Sequence, residues 1–328
     1  MDAIRSARSI LSKIKSSERV QAIINPVQKI GAKVNGSENF WGFLFISPVL
    51  IGFLVFTLGA VLFSLTMSFT DWNMLRGFGA INFIGIENYR RVFNSRDFWI
   101  SLRNNGQLLL TIPICVILSM ILAAIVNRGV YFRSAIRTLF FLPFITNVVA
   151  VSTIWRALMH PSRGPINMTL YQLGVPMESL PGWLSSTSWF IPALGLILIW
   201  QNLGFYTLMF SAGLQNIPSD YYEAASIDGA GAVKRFLHIT MPLITPVTFL
   251  VVMLGIIANL QLWTLVQVMT PGGVGFGSAS YTLSFFIYLS SFVHFRSGFG
   301  AALAWVLFFL TFCLTLIQWV FQKKWVNY

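Results

Sequence analysis

Six long stretches without a single charged residue constrain this chain more than any other feature; they cover residues 41–69, 108–126, 139–155, 189–214, 243–266 and 301–322. Crossing ~30 Å of hydrocarbon takes ~20 apolar residues in a helix, so each stretch is long enough, or nearly so, to span a bilayer. Unpaired backbone groups are not tolerated in lipid, and none of these stretches shows the apolar–polar alternation of a barrel strand, so helices are expected. The reading is an all-α, polytopic membrane protein with about six transmembrane helices. Composition agrees: 56% of the 328 residues are hydrophobic and only 10% charged, too few charges to cover a soluble surface. Pro48, Pro113, Pro143, Pro192 and Pro246 fall in or near these spans, where kinks are expected.

The net charge of +12 is spread between the apolar blocks rather than gathered on an aromatic-laced face, which argues for topology and against nucleic acid. Seven Lys and Arg precede Trp41, three lie in 127–138, two in 215–242 and two after Gln322. The alternate connections hold five, two and one, the five being Arg76, Arg90, Arg91, Arg96 and Arg103. Basic residues accumulate on the cytoplasmic side, so both termini and the 215–242 connection are expected inside. The first forty residues are polar and basic, and the first apolar run is too long for a signal core, so no cleavable leader is expected. Residues 1–40 instead form a separate segment, with Ile10, Leu11, Ile14, Val20, Ile23, Ile24, Val27 and Ile30 at helical spacing among Lys and Arg. Such a segment fits the anionic membrane surface, with Pro26 dividing it. Residues 41–328 form the transmembrane domain. The Gly-rich start of 271–298 reads as a loop, with 281–292 a short re-entrant or interfacial helix rather than a seventh span.

Catalytic constellations are missing from the pattern. Cys115 and Cys313 lie in apolar runs and read as packing residues; His160, His238 and His294 are scattered, with no helical pair for a metal. No phosphate-cradling Gly-x-x-x-x-Gly-Lys-Ser/Thr run is present, so the chain itself is not expected to bind ATP. Polar groups within spans are costly and therefore single out a pathway. Leu198, Gln201, Asn202 and Phe205 share one helical face; Asn259 and Trp263 are one turn apart in the next span. Amides that bond hydroxyls beside aromatic rings suit a neutral carbohydrate, and these two spans hold no Lys, Arg, Asp or Glu. The alternative for each such residue is ordinary hydrogen bonding between helices.

The connection 215–242 carries the most specific pattern. Asp220 with Glu223 three residues on forms a capping box, Gly229 ends the first helix, and a second short helix from Ala232 to His238 stops before Pro242. The run Glu223-Ala224-Ala225, then Gly229, then Ile239-x-x-Pro242, resembles the signature loop of permease subunits of binding-protein-dependent ATP-driven importers. Asp228-Gly229-Ala230 resembles the sugar-importing branch, with Met241 standing where that family usually has Leu. The Thr270-Pro-Gly-Gly run and the Gly298-x-Gly-Ala-Ala-Leu-Ala-Trp opening of the last span extend the resemblance over about residues 40–325.

The resemblance implies a type I ABC importer-like permease fold, similar to the first of two paired sugar permeases. It implies coupling through Glu223, Ala224, Ala225, Asp228 and Gly229 to two separate ATPase subunits that bind the ATP, a second non-identical permease, and an extracellular or periplasmic solute-binding protein. It places the chain in a bacterial cytoplasmic membrane and implies no cofactor of its own. The function expected is import of a carbohydrate, an oligosaccharide by preference. The alternatives are a permease for another polar solute such as a glycerol phosphate or acidic sugar, a secondary transporter, and a membrane enzyme acting on lipid-linked sugars.

Overall fold

The computed structural model describes residues 39–77, 79, 81–127, 132–270 and 277–325. The expected amphipathic segment lies outside them except for its last two residues. Among the described residues the structure is helical, with only an isolated bridge between Thr70 and Phe83. The chain divides into two compact units, Met1–Ser64 and Leu65–Tyr328.

The first unit is represented by α1 (Asn39–Ser68), which runs past its boundary. Its large apolar side chains are exposed along nearly the whole length, an arrangement that only a non-aqueous solvent or a partner makes stable. Between Gly52 and Gly59 the helix widens to a π-turn at Phe53–Leu58, with the Gly59 N–H bonded to the Leu54 carbonyl.

In the second unit, α2 (Glu87–Asn94) precedes α3 (Arg96–Asn127). Two helices at a sharp angle follow, α4 (Arg133–Ile145) and α5 (Val148–Leu158), then a short α6 (Pro165–Gln172). The long α7 (Phe190–Gln215) leads to α8 (Ser219–Ile227), α9 (Ala232–Leu243), α10 (Thr245–Leu260) and α11 (Thr264–Met269). The chain ends in α12 (Leu283–Val293) and α13 (Ser297–Trp325). Four of these, α1, α3, α7 and α13, are long and apolar enough to cross a membrane, and six spans result when α4–α5 and α9–α10 each count as one bent span.

Two spans bend sharply, as Pro143 and Pro246 led to expect, but each break falls beside its proline and not at it. The stretch 139–155 breaks at Thr146–Asn147, where α4 and α5 meet at 94°. Thr146 is extended, and the Asn147 side chain accepts from the Val149 N–H at 2.8 Å to start α5. The other bend is 66° at Ile244, after α9. That helix runs past Pro242 instead of stopping before it. Pro242 has no N–H to give the preceding turn; residues Phe236–Thr240 adopt a π-turn, and Met241 N–H reaches Phe236 instead. The second span also starts earlier than its charge-free run, because Arg96–Leu109 forms a lead-in to it.

The core is built around α7. Phe190, Ala193, Leu194 and Ile197 are fully buried against Leu265 and Met269 of α11 and Phe285 of α12. Farther along, Tyr206 and Phe210 pack with Ile112, Cys115 and Met120 of α3 and Val251 of α10. Gly204 permits the closest crossing: a β-carbon there would lie 1.7 Å from the Phe140 carbonyl oxygen of α4. The helix α12, too short to span, is held by buried amides of α3. Asn105 Oδ1 accepts from Leu283 N–H at 2.8 Å, and Asn104 Nδ2 donates to the Ala279 and Tyr281 carbonyls.

Candidate functional site

A broken helix marks the centre of the second unit. After Leu260 the backbone leaves the helical path and resumes at Thr264, so Asn259 and Trp263 do not lie one turn apart on one helix as the spacing suggested. Trp263 instead sits at the break, with φ −135° and ψ −45°. The carbonyls freed by the break are taken up by side chains. Asn105 Nδ2 donates to Asn259 O at 3.0 Å, Ser284 Oγ to Leu260 O at 2.9 Å, and Thr282 Oγ1 to Leu262 O at 2.7 Å. Irregular backbone at membrane depth is stable only where protein or trapped water satisfies it, and here three side chains do so, one from α3 and two from α12 and its cap.

Asn259 is 7% exposed. Its Nδ2 donates to the Gly255 carbonyl at 2.9 Å, while its Oδ1 is buried without a partner in the protein. A buried acceptor left unmade costs about 1–3 kcal/mol, so this oxygen is a ready acceptor for a hydroxyl or water. Beside it in sequence, Trp263 is 40% exposed and stacks on Tyr288 at 5.1 Å between centroids. The Tyr288 hydroxyl accepts from Gln267 Nε2 at 3.0 Å, which fixes the ring pair.

On α7 the expected face is continuous and helical, with Gln201, Asn202 and Phe205 half-buried. Asn202 Nδ2 is bonded to the Leu198 carbonyl of its own helix at 2.8 Å. Phe205 stacks flat on Phe144 of α4 at 4.2 Å, so one of its ring faces is covered. Tyr206 approaches Gly255, where an added β-carbon would sit 3.2 Å from the phenol oxygen. Asn104, Asn105, Thr282 and Ser284, which shape the break, were not singled out from the sequence. Asn104 and Asn105 precede the charge-free run in a polar Arg-Asn-Asn-Gly string that reads as loop.

The hairpin forms a second site. Helix α8 ends in a full Schellman arrangement: Gly229 has φ +71°, its N–H bonds Ser226 O at 3.1 Å, and Ala230 N–H bonds Ala225 O at 2.8 Å. Asp220 is not the N-cap. The helix opens after Pro218 with no side-chain cap, and Asp220 lies within the first turn, where its charge favours the helix dipole. Arg235 Nη1 donates to Ser226 Oγ at 2.6 Å and Tyr222 pairs with Thr240 at 2.9 Å, joining α8 to α9. Glu223, Ala224, Asp228 and Gly229 are exposed and Ala225 is half-buried. Ile227 is 88% and Val233 72% exposed. Apolar side chains so bare beside charged neighbours need a covering surface.

Residues 107–327 match the family described as the binding-protein-dependent transport system inner membrane component. The chain belongs to that family. It is a multi-pass inner-membrane transport component that works with partner subunits, and it is not an enzyme. A probable ABC transporter permease of Bacillus subtilis, YesP, is 34% identical over 89% of this chain and 93% of its own length. The lactose transport system permease LacF of Rhizobium radiobacter is 31% identical over 86% and 94%. Among solved structures, a chain of a bacterial ABC transporter involved in import of the acidic polysaccharide alginate superposes with a TM-score of 0.77. That alignment covers 91% of this permease and all of the solved chain at 20% identity, which supports the type I ABC importer permease fold.

Proposed function

We propose that this permease carries a neutral carbohydrate through a pathway lined in part by Asn202 and Asn259, and that the α8–α9 hairpin couples it to separate ATPase subunits. The observation that carries the substrate reading is a helix break with the unpartnered Asn259 Oδ1 on one side of it in sequence and the exposed, stacked Trp263 on the other. An amide acceptor serves a sugar hydroxyl, and an indole face covers the C–H surface of a pyranose. Spans α7 and α10 contain no ionisable Lys, Arg, Asp or Glu to balance a charged solute. The named substrate of the LacF relative, lactose, supports the same class. Gln201 and Phe205 complete the proposed lining. The coupling role of Glu223, Ala224, Ala225, Asp228 and Gly229 rests on their exposure on a hairpin whose apolar residues lack cover. A second permease, a solute-binding protein and two ATPases that hold the ATP complete the proposed assembly, with both termini of this chain cytoplasmic and no cofactor on it.

The test is uptake of a panel of labelled mono- and oligosaccharides into cells carrying wild type or Asn259→Leu. The variant should lose about tenfold in uptake, one hydrogen bond of ~1.4 kcal/mol, while still co-purifying with the ATPase. Equal uptake across the panel would return Asn259 to a packing role.

A further inference from the structure

Behind the hairpin lies a cavity of about 990 Å³, bounded by the ends of α3 and α7, by α4, and by α8 and α9. Two arginines line it, Arg137 and Arg235, and no acidic side chain does. Among the described residues neither arginine has a carboxylate within ion-pairing distance. Arg137 gives Nη2 to Asn127 Oδ1, while its Nε is buried with no partner. Arg235 gives Nη1 to Ser226. Each guanidinium carries five donors and stays charged, so most of this donor capacity is open toward the cavity.

A second, apolar groove of about 260 Å³ opens from the same place. It shares Ala124, Ala232 and Phe236 with the basic cavity and continues along Ile121 and Ile125. Those two isoleucines are exposed on α3, a helix long and apolar enough to cross a membrane, so the groove runs out onto an apolar face of a span. A basic pocket that opens through small and aromatic side chains into an apolar groove on a span has the shape of an amphiphile, not of a soluble anion or a protein loop.

We infer that this paired cavity and groove hold an anionic phospholipid, its phosphate on Arg137 and Arg235 and an acyl chain along Ile121 and Ile125. Because Arg235 also bonds Ser226, a headgroup there ties the lipid to both helices of the hairpin, and the charge of the surrounding leaflet acts on the hairpin's rigidity. The inference rests on the chain being a membrane permease and is independent of the solute it carries.

Native mass spectrometry of the full chain, purified in detergent and offered phosphatidylglycerol or phosphatidylcholine, tests it. Wild type should retain phosphatidylglycerol about tenfold better, the scale of a charge-assisted hydrogen bond set. R137Q/R235Q should erase that preference and R137K/R235K should restore most of it, which separates lost charge from lost folding. Ala124→Phe, which fills the junction of groove and cavity without touching charge, should lower retention of phosphatidylglycerol several-fold. A preference unchanged in R137Q/R235Q would overturn the site. Stabilisation by inorganic phosphate alone, equal in wild type and Ala124→Phe and accompanied by no lipid preference, would overturn the lipid in favour of a free anion.

Discussion

Gly229 shows how one residue decides an element's direction. Its φ of +71° is open to glycine and costs a residue with a β-carbon ~1 kcal/mol or more, most for a β-branched one. Nothing lies within 4 Å of where its β-carbon would be, so the penalty is conformational and not a clash. Gly229→Val should therefore misaim α9 and abolish substrate-stimulated ATP hydrolysis and uptake together, while the spans remain folded. Gly229→Asn, which tolerates the left-handed region, should keep most of both. Equal activity in the two variants would reduce the hairpin to a connector. Gly204 is the opposite case, since its substitution meets backbone. Gly204→Ala should destabilise the bundle by ~1–3 kcal/mol or more, seen as earlier loss of monodisperse protein on heating in detergent.

At the scale of elements, charge-free runs located all six spans but not their breaks. Apolar composition is the same on both sides of Thr146 and of Gln261, so nothing in hydropathy separates a straight helix from one turned by 94° or interrupted for three residues. What makes those breaks stable comes from distant positions, Asn105, Thr282 and Ser284 for the second, whose side chains replace the lost helical donors. The left-handed end of α8 was legible because glycine after a periodic run has a local meaning; the capping box read at Asp220 and Glu223 does not form, because Pro218 already sets the helix start. The pairing of Asp71 with Asn82 gives an element-scale test of pH. Asn82 donates from its side chain at 3.0 Å and its backbone at 2.8 Å, which holds the Asp71 carboxyl below the usual carboxylate range. A depressed folded value means that this contribution is present above the ordinary carboxylate pKa and disappears as pH falls through the depressed one. The protection of the Asn82 N–H against exchange, relative to its intrinsic rate, should therefore fall more than that of neighbouring loop amides on strong acidification, and Asp71→Asn should remove the difference.

For the whole molecule, orientation in the membrane follows if α7 is treated as a ruler. Its 26 residues extend about 39 Å, enough to put the hairpin and the α6–α7 connection on opposite sides of the hydrocarbon. From the positive-inside bias the hairpin is expected in the cytoplasm, where the proposed ATPase would meet it. Ser219 and Glu178 are both exposed at these two ends, so a cysteine at either is limited by the membrane and not by burial. Cys115 is buried and Cys313 exposed on α13, so Cys313→Ser provides the background. In intact cells Glu178→Cys should react with an impermeant thiol reagent, Ser219→Cys should not, and permeabilisation should make them equal. The reverse pattern would place the hairpin outside and remove it from any ATPase, whereas reaction at both sites in intact cells would mean that α7 does not cross the membrane.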